Sequence, residues 1–266
     1  MHRLCFFLIS LLLVLLPCPV WAAVALHDAA ATSAHDTGSD DNTTLSYTVT
    51  AGACLLVVDA CNRNTTAVSG VTFGAAALTS YGTKTQSTVA TSTIYYLVNP
   101  TASTATITVT WAASNFTKRI AARTYEGCDT STPFGTVQTA GATSSSATLT
   151  ATVTDSKAND LIIDAICAQS LITFTPGSGT PVQTERYDVN GTGSGDLAIA
   201  GSDGPGATGS QTMDQTPSAS VTMAMVAGNI NVAAPQRRGA PMFLSWVQRK
   251  HETFFIPFFI LSALGY

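Results

Sequence analysis

Two stretches of this chain, about 105 residues apart, have nearly the same sequence. Residues 44–59 read TLSYTVTAGACLLVVD, and residues 148–164 read TLTATVTDSKANDLIID. Each stretch has two runs rich in Thr, Val, Leu and Ile with small or polar residues between them, which is typical of two β-strands joined by a turn. Because related copies must bury similar apolar faces, the repeat predicts one architecture built twice. It also aligns Asp59 with Asp164 at the ends of the matched segments.

Strand-like segments recur along both copies, with turn residues between them. The expected strands of the first copy are residues 44–50, 54–62, 69–74, 92–98, 104–111 and 119–126, and those of the second are 147–154, 160–168, 171–175, 195–200, 209–214 and 219–232. No window longer than ten residues between residues 40 and 234 has helical periodicity. The chain is therefore expected to fold without long helices.

These short strands predict an all-β domain over residues 44–234, an antiparallel two-sheet sandwich of the jelly-roll-like kind. Its two internally similar halves span about 44–128 and 147–232. We favour one core shared by both halves, because each half has only about 100 residues and no Pro-rich linker divides them. Residues 55–58 and 161–163 are apolar on both faces, so we expect them in central strands that are covered on both sides.

The N-terminus has the pattern of a secretory signal peptide. Basic residues at positions 2 and 3 precede an apolar run at 4–16, and the small residues Ala23, Val24 and Ala25 suit cleavage. We therefore assign residues 1–25 to a signal peptide and expect a secreted or cell-surface protein. Residues 26–43 are small and polar, and they are interpreted as an N-terminal linker.

The C-terminal residues 235–266 differ from the rest in composition. Four of the twelve Lys and Arg residues lie between positions 237 and 250, and the chain then ends in the apolar run FFIPFFILSALGY. This run of thirteen residues is interrupted by Pro257, whereas a bilayer span needs about twenty residues. One interpretation is a tail that associates weakly with a membrane surface. The other interpretations are a poorly ordered extension, or an ending that is not native to the domain.

Charge is sparse, because only 11% of the residues are charged, against about 25% in a typical protein. Residues 27–234 contain seven Lys or Arg and fifteen Asp or Glu, a net charge near minus eight. Nucleic acid is then excluded as a partner, because phosphate binding needs clustered basic residues. Lys118, Arg119 and Arg123 form the nearest approach to a basic patch, and we expect them at a solvated strand end.

Four cysteines remain after removal of the signal peptide: Cys54, Cys61, Cys128 and Cys167. The first two lie on one expected strand, roughly 23 Å apart at about 3.3 Å per residue. That separation is beyond disulfide reach. Export permits oxidation, so one interpretation pairs Cys54 with either Cys128 or Cys167 and pairs Cys61 with the other. The alternative is four small buried residues without disulfides.

The positions of the histidines argue against an enzyme. All four lie outside the expected sandwich, at His2, His27, His35 and His251. A hydroxyl or thiol nucleophile activated by histidine would therefore need a linker or tail residue, and the same holds for a zinc site. The remaining catalytic option is a carboxylate pair that includes Glu126 or Glu185, as in glycoside hydrolases. We predict no catalytic residues.

A glycine-rich segment is the first candidate for a metal site, ahead of the acidic stretch Asp36 to Asp41. Residues 188–196, DVNGTGSGD, place oxygen-bearing side chains at alternating positions among glycines, and calcium prefers several oxygen ligands. The predicted ligands are Asp188, Asn190 and Asp196. The twelfth position of an EF-hand loop would be Ile199 instead of Glu, so an EF-hand is excluded. We predict no cofactor, with calcium in a loop of another kind as the alternative to a plain Gly-rich hairpin.

Aromatic residues are the candidates for contact with a sugar, because carbohydrate rings stack on aromatic faces. The set comprises Tyr81, Tyr95, Tyr96, Trp111, Tyr125 and Tyr187. We select Tyr81 and Tyr187 as the ligand-stacking residues. Tyr95 and Tyr96 are adjacent and lie on opposite faces of a strand, so at least one belongs to the core.

Several runs resemble known sequences: VTFGAAALT at 71–79, IYYLVNPTASTATITVTW at 94–111, DTSTPFGT at 129–136 and DLIIDAI at 160–166. They are similar to uncharacterised Ser/Thr/Ala-rich β-sandwich modules of bacterial secreted and surface proteins and of phage virion proteins. The resemblance implies a jelly-roll-like sandwich used for display, adhesion or glycan contact, and it implies no catalytic residues.

Together these patterns predict a noncatalytic secreted or cell-surface β-sandwich module with a structural, display or adhesive role. The first alternative is a carbohydrate-binding module with a calcium-supported loop. The second is a glycoside hydrolase or lyase on the same scaffold. The expected partners are glycans or other surface proteins.

Overall fold

Eighteen β-strands form four antiparallel sheets in the computed structural model, which describes residues 22–33, 36, 40–114, 116–190 and 196–234. All of these residues belong to one compact unit, Val20–Ala234. The described part of the chain contains no helix, and hence none that is long and apolar enough to cross a membrane. The all-β antiparallel prediction is confirmed, whereas the jelly-roll description stays a prediction. Most of the segment assigned to a signal peptide and all of residues 235–266 lie outside the described residues.

The first half of the unit contains ten strands in two sheets. They are β1 (Ala25–Leu26), β2 (Ala31–Thr32), β3 (Asn42–Val49), β4 (Leu55–Asn62), β5 (Val68–Phe73), β6 (Ala76–Ala77), β7 (Thr79–Gln86), β8 (Ala90–Val98), β9 (Ser103–Trp111) and β10 (Lys118–Glu126). One sheet has the order β1-β10-β4-β8-β7, with β2 also paired to β10, and the other has the order β3-β9-β5-β6.

The second half contains eight strands, also in two sheets. They are β11 (Gln138–Ser145), β12 (Leu149–Ser156), β13 (Leu161–Ala168), β14 (Phe174–Pro176), β15 (Thr184–Asn190), β16 (Ala198–Pro205), β17 (Gly209–Pro217) and β18 (Val221–Ile230). Their orders are β11-β18-β13-β16-β15 and β12-β17-β14. The two halves have matching strand orders when β3, β4, β5, β7, β8, β9 and β10 are compared one by one with β12 to β18. The order β10-β4-β8-β7 then matches β18-β13-β16-β15, and the order β3-β9-β5 matches β12-β17-β14.

The four sheets are stacked in layers, with the two larger sheets inside. One apolar cluster fills the first half between its two sheets, and a second cluster fills the second half in the same way. Two further clusters lie between the large sheets of the two halves, where Leu55 and Val57 of β4 meet Leu161 and Ile163 of β13. We call this contact between the large sheets the inner interface. Each half thus has its own core, and a third apolar layer joins the halves, in place of the single shared core that we favoured from the sequence.

The central strands are buried on both faces, as their sequences predict. Every residue of β4 and of β13 is buried, because alternate side chains enter the core of their own half and the inner interface. Strand β9 buries Ile107, Val109 and Trp111 on one face. Its other face is lined by threonines and faces outwards, so β9 is half-buried as expected.

Two disulfides cross-link the unit. Cys54 is bonded to Cys128, and Cys61 is bonded to Cys167, with Cα–Cα distances of 5.9 Å and 5.4 Å. The structure thus selects one of the two pairings that the sequence left open. The second bond connects β4 to β13 across the inner interface, and both of its cysteines are buried.

Several short or weakly patterned strands were missed in the sequence. The segment interpreted as a linker, residues 26–43, contains β2 and parts of β1 and β3, and the segment between the expected halves contains β11. Strands β7 and β15 were also missed. Strands β1 and β2 have two residues each, too few to show a period, and β11 is rich in Ala, Gly and Ser, which have little intrinsic preference for strands.

Candidate functional site

An aromatic groove opens at the boundary between the two halves. Tyr81 of β7 and Tyr96 of β8 come from the first half, and Phe134 comes from the connection that leads to β11. The Tyr81 and Phe134 rings stack with centroids 4.2 Å apart, and the Tyr96 ring meets Phe134 edge-on at 5.1 Å. The groove has a volume of about 400 Å³, and Ser80, Ser131 and Thr132 add aliphatic hydroxyl groups to its lining.

Tyr81 is held in the groove by contacts on both sides of the ring. Its hydroxyl donates to the Gly135 carbonyl oxygen at 3.3 Å. Gly228 of β18 lies beneath it, and a Cβ there would overlap the Tyr81 ring and hydroxyl. Burial, and secondarily the Asp155 carboxylate, raise the pKa of Tyr81, so the hydroxyl stays a proton donor at neutral pH. The structure therefore places the predicted Tyr81 in a groove, beside Tyr96.

Phe134 is the aromatic residue of the groove that the sequence analysis missed. It lies outside any strand, in the run DTSTPFGT that was noted only for its resemblance. An aromatic residue between Pro133 and Gly135 in a connecting segment was the available signal, because such segments lie at the surface and carry binding residues.

Tyr187, the second predicted ligand-stacking residue, is not available to a ligand. Only 7% of its surface is exposed, because β15 directs the ring into the inner interface. Its hydroxyl donates to Asp59 Oδ2 at 2.6 Å, and its ring faces the Arg123 guanidinium at 5.5 Å. The prediction for Tyr187 is wrong, because strand alternation turned the ring to the covered face.

The prediction of a solvated basic patch is also wrong, because Lys118, Arg119 and Arg123 are 0%, 4% and 0% exposed. Lys118 Nζ donates to the Asp40 carbonyl oxygen and lies 3.6 Å from Asp36 Oδ2. Strand β10 is covered on both faces, so none of the three cations reaches solvent. Each of them forms hydrogen bonds inside the fold instead.

Arg123 is the centre of a buried polar network in the inner interface. Its Nη2 lies 3.3 Å from Asp59 Oδ2 and donates to the Asp164 carbonyl oxygen at 2.7 Å. Its Nη1 donates to the Ser202 carbonyl oxygen at 3.4 Å. One guanidinium of the first half therefore binds main-chain oxygens on two strands of the second half.

The two aligned aspartates lie on opposite faces of their sheets. Asp59 faces the inner interface with Leu55 and Val57, whereas Asp164 faces the core of the second half. There the carboxylate accepts from the Ser202 amide at 2.7 Å and from Gln215 Nε2 at 3.0 Å. Burial raises the pKa of Asp164 to about 6 despite these donors. Burial likewise raises the pKa of Asp59, against the influence of Arg123 and Tyr187.

The residues predicted to hold calcium flank positions 191–195, which lie outside the described residues. Asp188 Oδ2 accepts from the Phe174 amide at 2.8 Å, and the Asn190 carbonyl oxygen accepts from Arg119 Nη1 at 3.0 Å. Asp196 is buried and interacts electrostatically with Arg119. Among the described residues no group of three or more His, Cys, Asp or Glu side chains could hold a metal. A guanidinium already supplies positive charge here, and calcium binding stays a prediction.

His27 takes part in a chain of polar contacts that the sequence analysis did not anticipate. Strand β1 pairs Ala25 with Glu126, and this pairing brings His27 Nδ1 to 3.0 Å from Glu126 Oε2. His27 Nε2 lies 2.9 Å from Thr50 Oγ1, which itself donates to Asp28 Oδ1 at 2.6 Å. The Thr50 hydroxyl thus lies within hydrogen-bond distance of both an imidazole and a carboxylate.

The two glutamates considered for glycoside hydrolysis lie on strands of different halves. Glu126 ends β10 and contacts His27, whereas Glu185 is exposed on β15. No described contact joins them. Comparison of the chain with protein-family models, curated proteins and solved structures finds no match. The resemblance to display modules therefore stays a prediction.

Proposed function

We propose that this chain is a noncatalytic, secreted or cell-surface β-sandwich module with a structural, display or adhesive role. The observation that carries the proposal is the distribution of polar groups. Arg123, Asp59 and Lys118 are buried in bonded networks, whereas the outward faces of β3 and β9 carry uncharged hydroxyls. Thr44 is paired with Thr108 and Ser46 with Thr106 across these strands.

This distribution suits a rigid unit that presents neutral, hydroxyl-rich faces. Thr48 Oγ1 and Thr104 Oγ1 are hydrogen-bonded to each other at 2.8 Å, so part of this face is ordered by its own side chains. The Cys61–Cys167 disulfide and the Arg123 network join the halves from within. Such a unit keeps its shape outside the cell, where disulfides persist.

The proposal is tested by locating the full chain in a secreting host and labelling its thiols. We expect the protein in the medium or at the cell surface, where added protease reaches it on intact cells. Its cysteines should react with a maleimide only after reduction in denaturant. Retention in the cytosol with freely reacting thiols would contradict the proposal.

A second candidate function, glycan binding, is favoured by the aromatic groove alone. Tyr96 and Phe134 meet edge-on above a shallow opening that is lined by hydroxyls. A sugar could stack on one ring while its hydroxyls bond to Ser131 and Thr132. Because the opening lies at the junction of the halves, the ligand would contact residues of both the first half and the connection.

A glycan array measured with and without a chelator tests this second candidate. We expect Tyr96→Ala to abolish any signal of the wild-type chain, and Thr106→Ala, on the distant outward face of β9, to preserve it. A signal that needs calcium would support the loop at Asp188 and Asp196. An array without any bound glycan, or one unaffected by Tyr96→Ala, would rule out glycan binding in the groove.

A further inference from the structure

Val24 is part of the folded core, although the sequence pattern places it within the signal peptide. Only 4% of its surface is exposed, and it belongs to the apolar cluster of the inner interface. Its amide donates to the Asn159 carbonyl oxygen at 3.0 Å. Asn159 precedes β13, so this bond ties the N-terminal strand of the first half to the second half.

The residues on either side of Val24 are also built into the fold. Ala25 and Leu26 form β1 and pair with Glu126 and Tyr125 of β10. The Ala23 carbonyl lies over Gly127, which has φ +76°, and a Cβ at Gly127 would lie 2.7 Å from that oxygen. Only glycine allows so close an approach at this backbone conformation. The fold therefore accommodates the chain from Ala23 onwards.

Cleavage after Ala25 would remove these contacts. The buried Val24 side chain and the paired Ala25 would be lost, and the new ammonium group of Leu26 would begin inside the ladder with β10. An earlier site of the required type is present. With a cut after Ala22, the last residue of the signal peptide is Ala22 and the third from last is Val20, and these are the two positions that must be small or compact. A cut after Ala23 is disfavoured, since Trp21 would then occupy the first of these positions.

We propose that the signal peptide is cleaved after Ala22, so that the mature chain begins at Ala23. The host signal peptidase would hydrolyse the Ala22–Ala23 peptide bond, and water would supply the hydroxyl to the Ala22 carbonyl carbon and the proton to the Ala23 nitrogen. The released ammonium group lies on exposed Ala23, one residue before the buried Val24. Removal of the signal peptide at this bond leaves β1 and the buried Val24 in the mature chain. This inference rests on the secretion proposed above.

The mature N-terminus is determined by sequencing and intact mass of the protein recovered from a secreting host. We expect the sequence to begin Ala23-Val24-Ala25. A secreted chain that begins at Leu26, or at any other residue after Ala23, would overturn the proposal and leave secretion supported. An uncleaved chain retained in the cytosol would overturn both.

Two matched variants locate the cut independently. We expect Ala22→Lys to block processing, because it changes the residue next to the broken bond, and Ala25→Lys, at an exposed position of β1, to be processed normally. The reverse pattern would overturn the proposal. Mature chains that start at Ala23 and at Leu26 and both end at Tyr266 should differ in Tm by about 5 °C, the Leu26 form being lower. Equal Tm values would contradict the structural argument.

Discussion

Arg123 Nη2 lies 3.3 Å from Asp59 Oδ2, and the two side chains are 0% and 1% exposed. The same guanidinium donates to carbonyl oxygens of Asp164 and Ser202 in the other half. A buried ion pair offsets its desolvation only when its remaining hydrogen bonds are made. Here the other hydrogen bonds of the guanidinium come from the second half, so they form only when the halves are packed together. Among the described residues, Arg123 Nε and Asp59 Oδ1 are buried without a hydrogen-bond partner.

Replacement of Arg123 by methionine is expected to destabilise the protein strongly. The change leaves the Asp59 carboxylate buried without its cation, which costs about 3–5 kcal/mol in the free energy of unfolding. Urea unfolding at pH 7 measures this loss. The double variant Arg123→Met with Asp59→Asn should recover part of it, because the carboxylate that Arg123 neutralised at position 59 is then also removed. A double variant as unstable as the sum of the single changes would contradict this account.

The stability should depend on pH through Asp164. Burial raises the pKa of this carboxyl to about 6, whereas an aspartate in the unfolded chain has a pKa of about 3.9. Between these values the folded state holds a proton that the unfolded chain has released, so stability falls as the pH rises from about 4 to 6. The fall from this group is about 3 kcal/mol.

The Asp164→Asn variant provides the control, because asparagine does not titrate. Between pH 4 and pH 7, the free energy of unfolding of the wild type should fall by about 3 kcal/mol relative to that of the variant. Parallel pH profiles would show that Asp164 has no raised pKa in the folded protein.

Removal of the Cys61–Cys167 disulfide should weaken the unit. The bond closes a loop with a sequence separation of 106 residues, and loss of such a cross-link costs about 4 kcal/mol by increasing the entropy of the unfolded chain. The double variant Cys61→Ala, Cys167→Ala is compared with wild type by urea unfolding. Thr106→Ala, at an exposed position, is the control and should stay within about 0.5 kcal/mol of wild type. An unchanged midpoint in the cysteine variant would contradict the prediction.

Substitution of Gly228 tests how Tyr81 is held in the aromatic groove. A Cβ at this position overlaps the Tyr81 ring and hydroxyl, so Gly228→Ala should cost about 1–3 kcal/mol through overpacking. The cost should be smaller in a Tyr81→Ala background, where the overlapping ring is absent. Thermal unfolding of the four proteins gives the coupling. Additive effects would mean that Gly228 does not support the ring.

The repeated segments were sufficient to predict which strands are central. The runs at 55–58 and 161–163 are apolar at consecutive positions, and β4 and β13 are buried along their whole length. Spacing alone also separated Cys54 from Cys61, because residues on one extended strand cannot bond to each other. It could not select between Cys128 and Cys167 as partners, since that depends on which strands meet across the inner interface.

Predictions about individual side chains failed where they depended on the face of a strand. Tyr187 was expected at the surface, and Arg119 and Arg123 at a solvated end, yet all three enter the inner interface. A shift of one position reverses the face of every residue in a strand. The sequence also does not show which face of a strand another sheet covers. His27 was set aside for a related reason, because β1 is too short to be recognised before its partner β10 is known.

The amino-acid sequence by itself determined the all-β class and the central strands, because hydrophobic periodicity and turn residues are local properties. The tertiary structure alone decided that two large sheets pack face to face, that Cys61 bonds to Cys167, and that Phe134 meets Tyr81 and Tyr96. It also decided that Val24 belongs to the folded chain. These features join residues far apart in the sequence, and only the packing of sheets brings such residues within contact distance.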